Sequence, residues 1–243
     1  MTDDRFAHLA LQHSLAGLTI PPIAFELAAG DPPELVWRNE LDGLTFRVGR
    51  RYLKWNLRST GIDLDRERVR LEWIASRHPA PRVIDHGTDG EAQWLLTEGL
   101  PGGSAVGDAW RARRSDAIRA IATGLRAIHA IPTAGFPDAW TTESWVGIQP
   151  SALGPRPPIE APVLVHGDAC APNTLISADG LWTGNVDFGD LAVGDRWADL
   201  AVASLSLDWN FGEGHQPEFF EAYGVAPDRK RIDYYRALWD LES

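Results

Sequence analysis

The chain has 243 residues, with 23 Lys and Arg against 34 Asp and Glu, a single cysteine and 44% hydrophobic side chains. That is enough to bury one core or two small ones. Lone Cys170 excludes a disulfide framework and a cysteine-built zinc site. The acid surplus argues against a nucleic-acid partner, no apolar run approaches the ~20 residues that span a bilayer, and the first residues lack the basic and apolar regions of a signal peptide. A cytoplasmic protein with no membrane contact is the expectation.

In chain order, residues 3–15 have the spacing of an amphipathic helix, which Pro21-Pro22 and the stretch 30–33 interrupt. Leu35–Arg38, Leu44–Val48 and Tyr52–Trp55, separated by Asp42-Gly43 and Gly49, read as antiparallel strands. Residues 63–77 follow as a helix with Leu71 and Ile74 on one face and Asp63 as its cap. Arg82–His86 and Ala92–Thr97 read as two more strands split by Asp89-Gly90. Beyond a punctuated stretch at 98–103, Ile118, Ile121, Leu125 and Ile128 mark a long helix, and Trp197/Leu200/Ser204 and Ile232/Tyr235/Trp239 mark two later ones. Five prolines between 150 and 162 make that segment a loop, leading into the short strand Val163–Val165. The fold class expected is α+β: a small antiparallel-sheet lobe over residues 1–99 and a larger, mainly helical lobe over 100–243.

Directly after that short strand stands His166-Gly167-Asp168-Ala169-Cys170-Ala171-Pro172-Asn173, and fourteen residues past Asn173 comes Asp187-Phe188-Gly189. Asp-x4-Asn followed by Asp-Phe-Gly is the spacing of a kinase catalytic loop and its metal-binding motif. The residue types suit the chemistry. Phosphoryl transfer asks the protein mainly for positioning and charge neutralisation. Asp168 can orient a hydroxyl and take its proton, while Asn173 and Asp187 offer hard oxygen ligands to Mg²⁺; His166 is read as a structural staple of the loop. A cation for the phosphates is also needed, and Lys54, one of only two lysines, lies on a strand ten residues before the helix that carries Glu67. The Gly-x4-Gly-Lys phosphate loop, the hydrolase elbow, the His-Glu-x-x-His metal motif and the Gly-x-Gly-x-x-Gly of protein kinases are all absent.

These motifs, with Tyr-Leu-Lys-Trp at 52–55, the helix 63–74, Gly-Asp-Arg-Trp-Ala-Asp-Leu-Ala at 194–201 and the C-terminal 232–241, resemble the aminoglycoside phosphotransferases, most of all the 3′-acting enzymes. The resemblance runs from about residue 35 onward and implies a bilobal, protein-kinase-like fold and use of ATP and Mg²⁺. It implies Asp168 as catalytic base, Asn173 and Asp187 on the metal, Lys54 paired with Glu67, Tyr52 stacked on adenine, Thr97 and Gly99 offering backbone groups to it, and residues 42–45 covering the phosphates with N–H groups. An aminoglycoside hydroxyl is the expected acceptor, giving antibiotic resistance. Residues 160–243 carry 5 basic and 15 acidic side chains; either they are solvated surface or some of them, Asp240 with Asp190 and Glu242, receive a cationic substrate between the Pro-rich loop and the last helix. The chain departs from the 3′-enzymes at Asp190, at Trp239-Asp240 and in the Pro-rich segment, all on the substrate side. A kinase of another hydroxyl compound (a macrolide, sugar or amino alcohol) and an inactive nucleotide-binding scaffold are the competing readings.

Overall fold

The computed structural model describes residues 19–28, 30–39 and 41–242; the helix expected over 3–15 lies outside them, as does the side chain of Glu242. The chain divides into two compact units, one within Met1–Glu72 and Pro81–Gly99, the other within Trp73–Ala80 and Leu100–Ser243.

The first unit is built on a five-stranded antiparallel sheet of order β1-β2-β3-β5-β4, from β1 (Glu34–Arg38), β2 (Leu44–Val48), β3 (Arg51–Leu57), β4 (Val83–Asp89) and β5 (Ala92–Glu98). Alternation in β2 turns Leu44, Phe46 and Val48 to the core while Arg47 is exposed. Phe46 faces Leu53 across the β2–β3 pair, both without solvent exposure, and each such buried side chain contributes about 1.5–3 kcal/mol. Helix α1 (Pro22–Ala28) adds Ala24 and Ala28 to this core. Pro22 opens this helix, because the first helical position needs no N–H and suits proline's fixed φ.

Helix α2 (Leu64–Ile74) starts where Asp63 accepts hydrogen bonds from the N–H groups of Asp65 (3.0 Å) and Arg66 (3.1 Å). Its Leu71 and Ile74 are buried as their spacing requires. The chain leaves the first unit before this helix ends. Trp73 meets Phe136 edge to face at 5.2 Å, and His78 donates to Asn185, so 73–80 packs with the second unit although 81–99 returns to the first.

In the second unit, α3 (Asp108–Arg111) precedes α4 (Arg114–His129), which buries Ile118, Ile121, Leu125 and Ile128. Then come α5 (Asp138–Glu143), α6 (Trp197–Phe211), α7 (Gln216–Tyr223) and α8 (Arg229–Glu242); α7 packs on α4 and α8 on α6. The sequence pattern marked α4, α6 and α8 but not the short α3, α5 and α7, which span too few turns for a clear period. Two small sheets complement the helices, β6 (Gly103–Ser104) with β8 (Thr174–Ile176) and β9 (Trp182–Asn185), and β7 (Val163–Val165) antiparallel to β10 (Ala192–Gly194). The Pro-rich loop holds one 3-10 turn, Ser151–Leu153. Among the described residues, no helix is long and apolar enough to cross a membrane.

Candidate active site

In the first unit, Lys54 stands in the middle of β3, opposite Thr45 on β2 and Leu95 on β5. Its Nζ lies 2.8 Å from each carboxylate oxygen of Glu67, which is buried in the first turn of α2. The symmetric approach fixes the ammonium along the carboxylate bisector, and the α2 N-terminal dipole favours the negative partner there. Tyr52 is in register with Thr97, and its ring lies against Gly99, where an added Cβ would stand 2.9 Å from Cε2. Gly99 gives its N–H to the Arg50 carbonyl (2.9 Å), so the backbone group it can present is its own carbonyl.

The turn between β1 and β2 departs from expectation. Asn39 takes the N–H of Leu41 (3.1 Å) and of Gly43 (2.7 Å) on its side chain and that of Asp42 (3.1 Å) on its carbonyl, while Leu44 and Thr45 pair within the sheet. The donors expected to cover phosphates are therefore used inside the turn and the sheet.

In the second unit, the loop after β7 is pinned at almost every residue. The Asp199 carboxylate, in the first turn of α6, accepts the N–H of His166 (2.7 Å) and of Gly167 (3.0 Å). Trp145 donates its indole N–H to the Gly167 carbonyl (2.6 Å), and Ser206 on α6 receives the N–H of Ala171 (2.9 Å). His166 is the staple the sequence implied. Its Nδ1 accepts the Asp168 N–H (3.2 Å), which leaves Nε2 carrying the proton donated to the Val186 carbonyl (2.9 Å), one residue before Asp187. Asn173 donates its amide to Oδ2 of Asp168 (2.8 Å) and to the Asp168 carbonyl (3.0 Å), and its own carbonyl takes the Val186 N–H (3.0 Å). Asp168, Asn173 and Asp187 are thus brought together.

Burial lifts the Asp168 carboxyl above the usual aspartate range and the nearby Asp187 charge adds to this, against the opposing pull of His166, Cys170 and Asn173. Asp187 holds a left-handed backbone, φ 68°, unusual for a residue other than glycine, and such strain persists where the surroundings impose it. Burial pushes the Cys170 thiol well up, so it is chemically quiet beside the base.

Of the acids expected on the substrate side, Asp190 adjoins the loop: its carbonyl accepts the Ser144 hydroxyl (3.0 Å), and its backbone lies hard against Gly167. Asp240 is an exposed residue of the last turn of α8. Glu160, in the Pro-rich loop, pairs with Arg231 (3.3 Å), which also binds Asp195 and Asp228 and so ties α8 to its neighbours. Sequence reasoning assigned no role to Asp199, His129, Asn185 or Trp145; Asp199 sits in the Gly-Asp-Arg-Trp-Ala-Asp stretch, the only signal that pointed to it.

A strand lysine held by a helix glutamate, and a pinned loop presenting a carboxylate, an amide and a second carboxylate, define a kinase-like phosphotransferase. The family model described as the phosphotransferase enzyme family matches residues 44–153 and 149–238, and the chain belongs to that family. It is 33% identical over 216 residues to an aminoglycoside 3′-phosphotransferase of Streptomyces fradiae, covering 74% of this chain and 80% of the relative. Among solved structures it is similar to an aminoglycoside-3′-phosphotransferase of type VIII (TM-score 0.70, 26% identity, 87% of this chain and 93% of that one). It also shares the fold of the aminoglycoside phosphotransferase APH(3'')-Id from Streptomyces rimosus in complex with ADP and streptomycin (TM-score 0.67, 24% identity, 99% of each chain).

Proposed function

We propose that this protein transfers the γ-phosphoryl group of ATP to a hydroxyl of an aminoglycoside, the 3′-hydroxyl by its similarity to the 3′-enzymes, and so confers resistance. Supporting this above all is the way Asn173 and Asp199 fix Asp168: one carboxylate oxygen is held by the Asn173 amide and the loop backbone is anchored in α6. Asp168 orients the acceptor hydroxyl and takes its proton as that oxygen bonds to the γ-phosphorus and the bond to the β–γ bridging oxygen breaks, releasing ADP. Lys54, held by Glu67, supplies positive charge to the phosphates.

Asn173 and Asp187 suit Mg²⁺. With its amide nitrogen turned to Asp168, Asn173 offers its side-chain oxygen, and Asp187 adds a carboxylate. When bound, Mg²⁺ neutralises developing charge on the phosphates. In this reading residues 1–99 hold the nucleotide-binding elements, with Tyr52, Thr97 and Gly99 receiving adenine, and 100–243 the catalytic and acceptor-binding ones, with Asp190, Asp240 and Glu242 drawing in the cationic acceptor. ATP as donor points to the cytoplasm. A different hydroxyl compound is the second reading, favoured by the pairing of Glu160 with Arg231, which ties up one acid of the Pro-rich loop.

ATP turnover against kanamycin-type aminoglycosides, streptomycin, a macrolide and amino alcohols tests this. Kanamycin is phosphorylated and its analogue without the 3′-hydroxyl is not; turnover of a neutral compound alone overturns the aminoglycoside assignment.

A further inference from the structure

The anchor of the catalytic loop does not end at Asp199. Nε2 of His129, from α4, lies 2.9 Å from Asp199 Oδ2, the oxygen that also accepts the His166 N–H, and Nδ1 of the same ring lies 2.8 Å from the hydroxyl of Tyr223, the last residue of α7. The three side chains are all buried, with the two rings edge to face at 5.7 Å. Donor logic sets the direction of the chain. A carboxylate only accepts, so His129 Nε2 carries a proton; with that as its single proton the ring accepts at Nδ1 and the phenol donates. The Arg196 guanidinium beside the same phenol can only donate, which leaves the phenolic hydrogen to point at His129.

We propose that Tyr223 is a positioning residue for the transfer: its hydroxyl fixes the tilt of His129, which steadies the Asp199 carboxylate that carries the backbone of His166 and Gly167. The relay runs from α7 through α4 to α6 and ends one residue before Asp168. Without the phenolic donor, Nδ1 becomes a buried acceptor with no proton to receive. The Asp199 carboxylate keeps the ring proton on Nε2, but the ring loses the hydrogen bond that sets its tilt, so its bond to Asp199 loosens and the loop loses one of the restraints that set its place. Burial holds the phenol protonated, as the donor role requires. A phenylalanine would fill the same space, so the hydroxyl is the part that acts.

The kinetic arm rests on the phosphotransferase reading, and the spectroscopic arm does not. In the full chain with ¹⁵N-labelled histidine, the nitrogen shifts of His129, assigned by its loss in His129→Gln, report a neutral ring protonated at Nε2. In Tyr223→Phe the ring stays protonated at Nε2 while the Nδ1 shift moves to that of an acceptor without a hydrogen bond, and kcat falls by about 10-fold, with the KM values of ATP and acceptor unchanged. His129→Gln, whose amide NH₂ can still serve Asp199, retains more activity than His129→Ala, and adding Tyr223→Phe to it causes no further loss. A doubly protonated or Nδ1–H ring in the parent protein, an unchanged kcat in Tyr223→Phe, or independent, multiplying losses in the double variant overturns the proposal. Should the parent protein turn over no acceptor, the phosphotransferase reading fails while the Nδ1 shift still decides whether Tyr223 holds the ring.

Discussion

Gly167→Ala isolates the packing of the catalytic loop. Gly167 has φ +82°, and a Cβ there would stand 2.6 Å from the carbonyl carbon of Asp190 and 2.7 Å from its Cβ, where ordinary contact begins at 3.4 Å. Loop and Asp190 must part by about 1 Å, with neither side free to give: the Gly167 N–H is held by Asp199, its carbonyl by Trp145, and the Asp190 carbonyl by Ser144. The left-handed backbone alone costs an alanine about 1–2 kcal/mol. Gly224→Ala is the control for that part, since Gly224 has φ +90° with nothing within 4 Å of an added Cβ. Urea unfolding should place Gly224→Ala about 1–2 kcal/mol below the parent with kcat intact. Gly167→Ala should lose more than that, and its kcat should fall about 10²-fold, because Asp168 is the next residue and a 1 Å misplacement costs on that order. Equal stability and equal kcat in the two variants would refute the claim that Asp190 and the anchored backbone set the position of Asp168.

Asp168→Asn keeps the loop's shape but removes the proton acceptor, so kcat should drop roughly 10²–10⁴-fold with ATP still bound; parent-like turnover rejects Asp168 as base. Lys54→Met leaves Glu67 without the ammonium that now touches both its oxygens, and kcat/KM for ATP should fall about 10²-fold or more, measured at saturating acceptor. His78 titrates at about 4 instead of 6.5, because burial outweighs its bond to Asn185. The unfolded chain therefore takes up that proton first, and stability should decline as pH falls from 6.5 to 4, by about 3 kcal/mol in all. His78→Gln should flatten this slope, read from urea midpoints at pH 7 and 4.5; an unchanged slope assigns it elsewhere. Asp240 is exposed, so Asp240→Ala should weaken a cationic acceptor by no more than about 1 kcal/mol, and less as salt rises, by calorimetry.

The sequence by itself determined what depends on local chemistry and period. Strands β2, β3 and β5 follow from alternation and their turns, α4 from apolar residues recurring every three or four positions, and the α2 start from Asp63 as cap. Spacing alone brought Asp168, Asn173 and Asp187 onto one short excursion of chain, and the rarity of lysine singled out Lys54. Tertiary structure decided what depends on distance along the chain. Asp199 and His129 lie 33 and 37 residues from His166, and Tyr223 still farther, so no local pattern could tell that they would meet; packing of α4, α6 and α7 brings them into hydrogen-bond reach. Packing also carried residues 73–80 into the second unit, through Trp73 and His78, and used the N–H groups of residues 41–43 within a turn closed by Asn39. The acid surplus of the last third was legible as charge only. Burial and pairing separate its members: Asp199 holds a loop, Asp195 and Glu160 hold Arg231, and Asp240 faces water, because a carboxylate's role is set by which donors the fold places beside it.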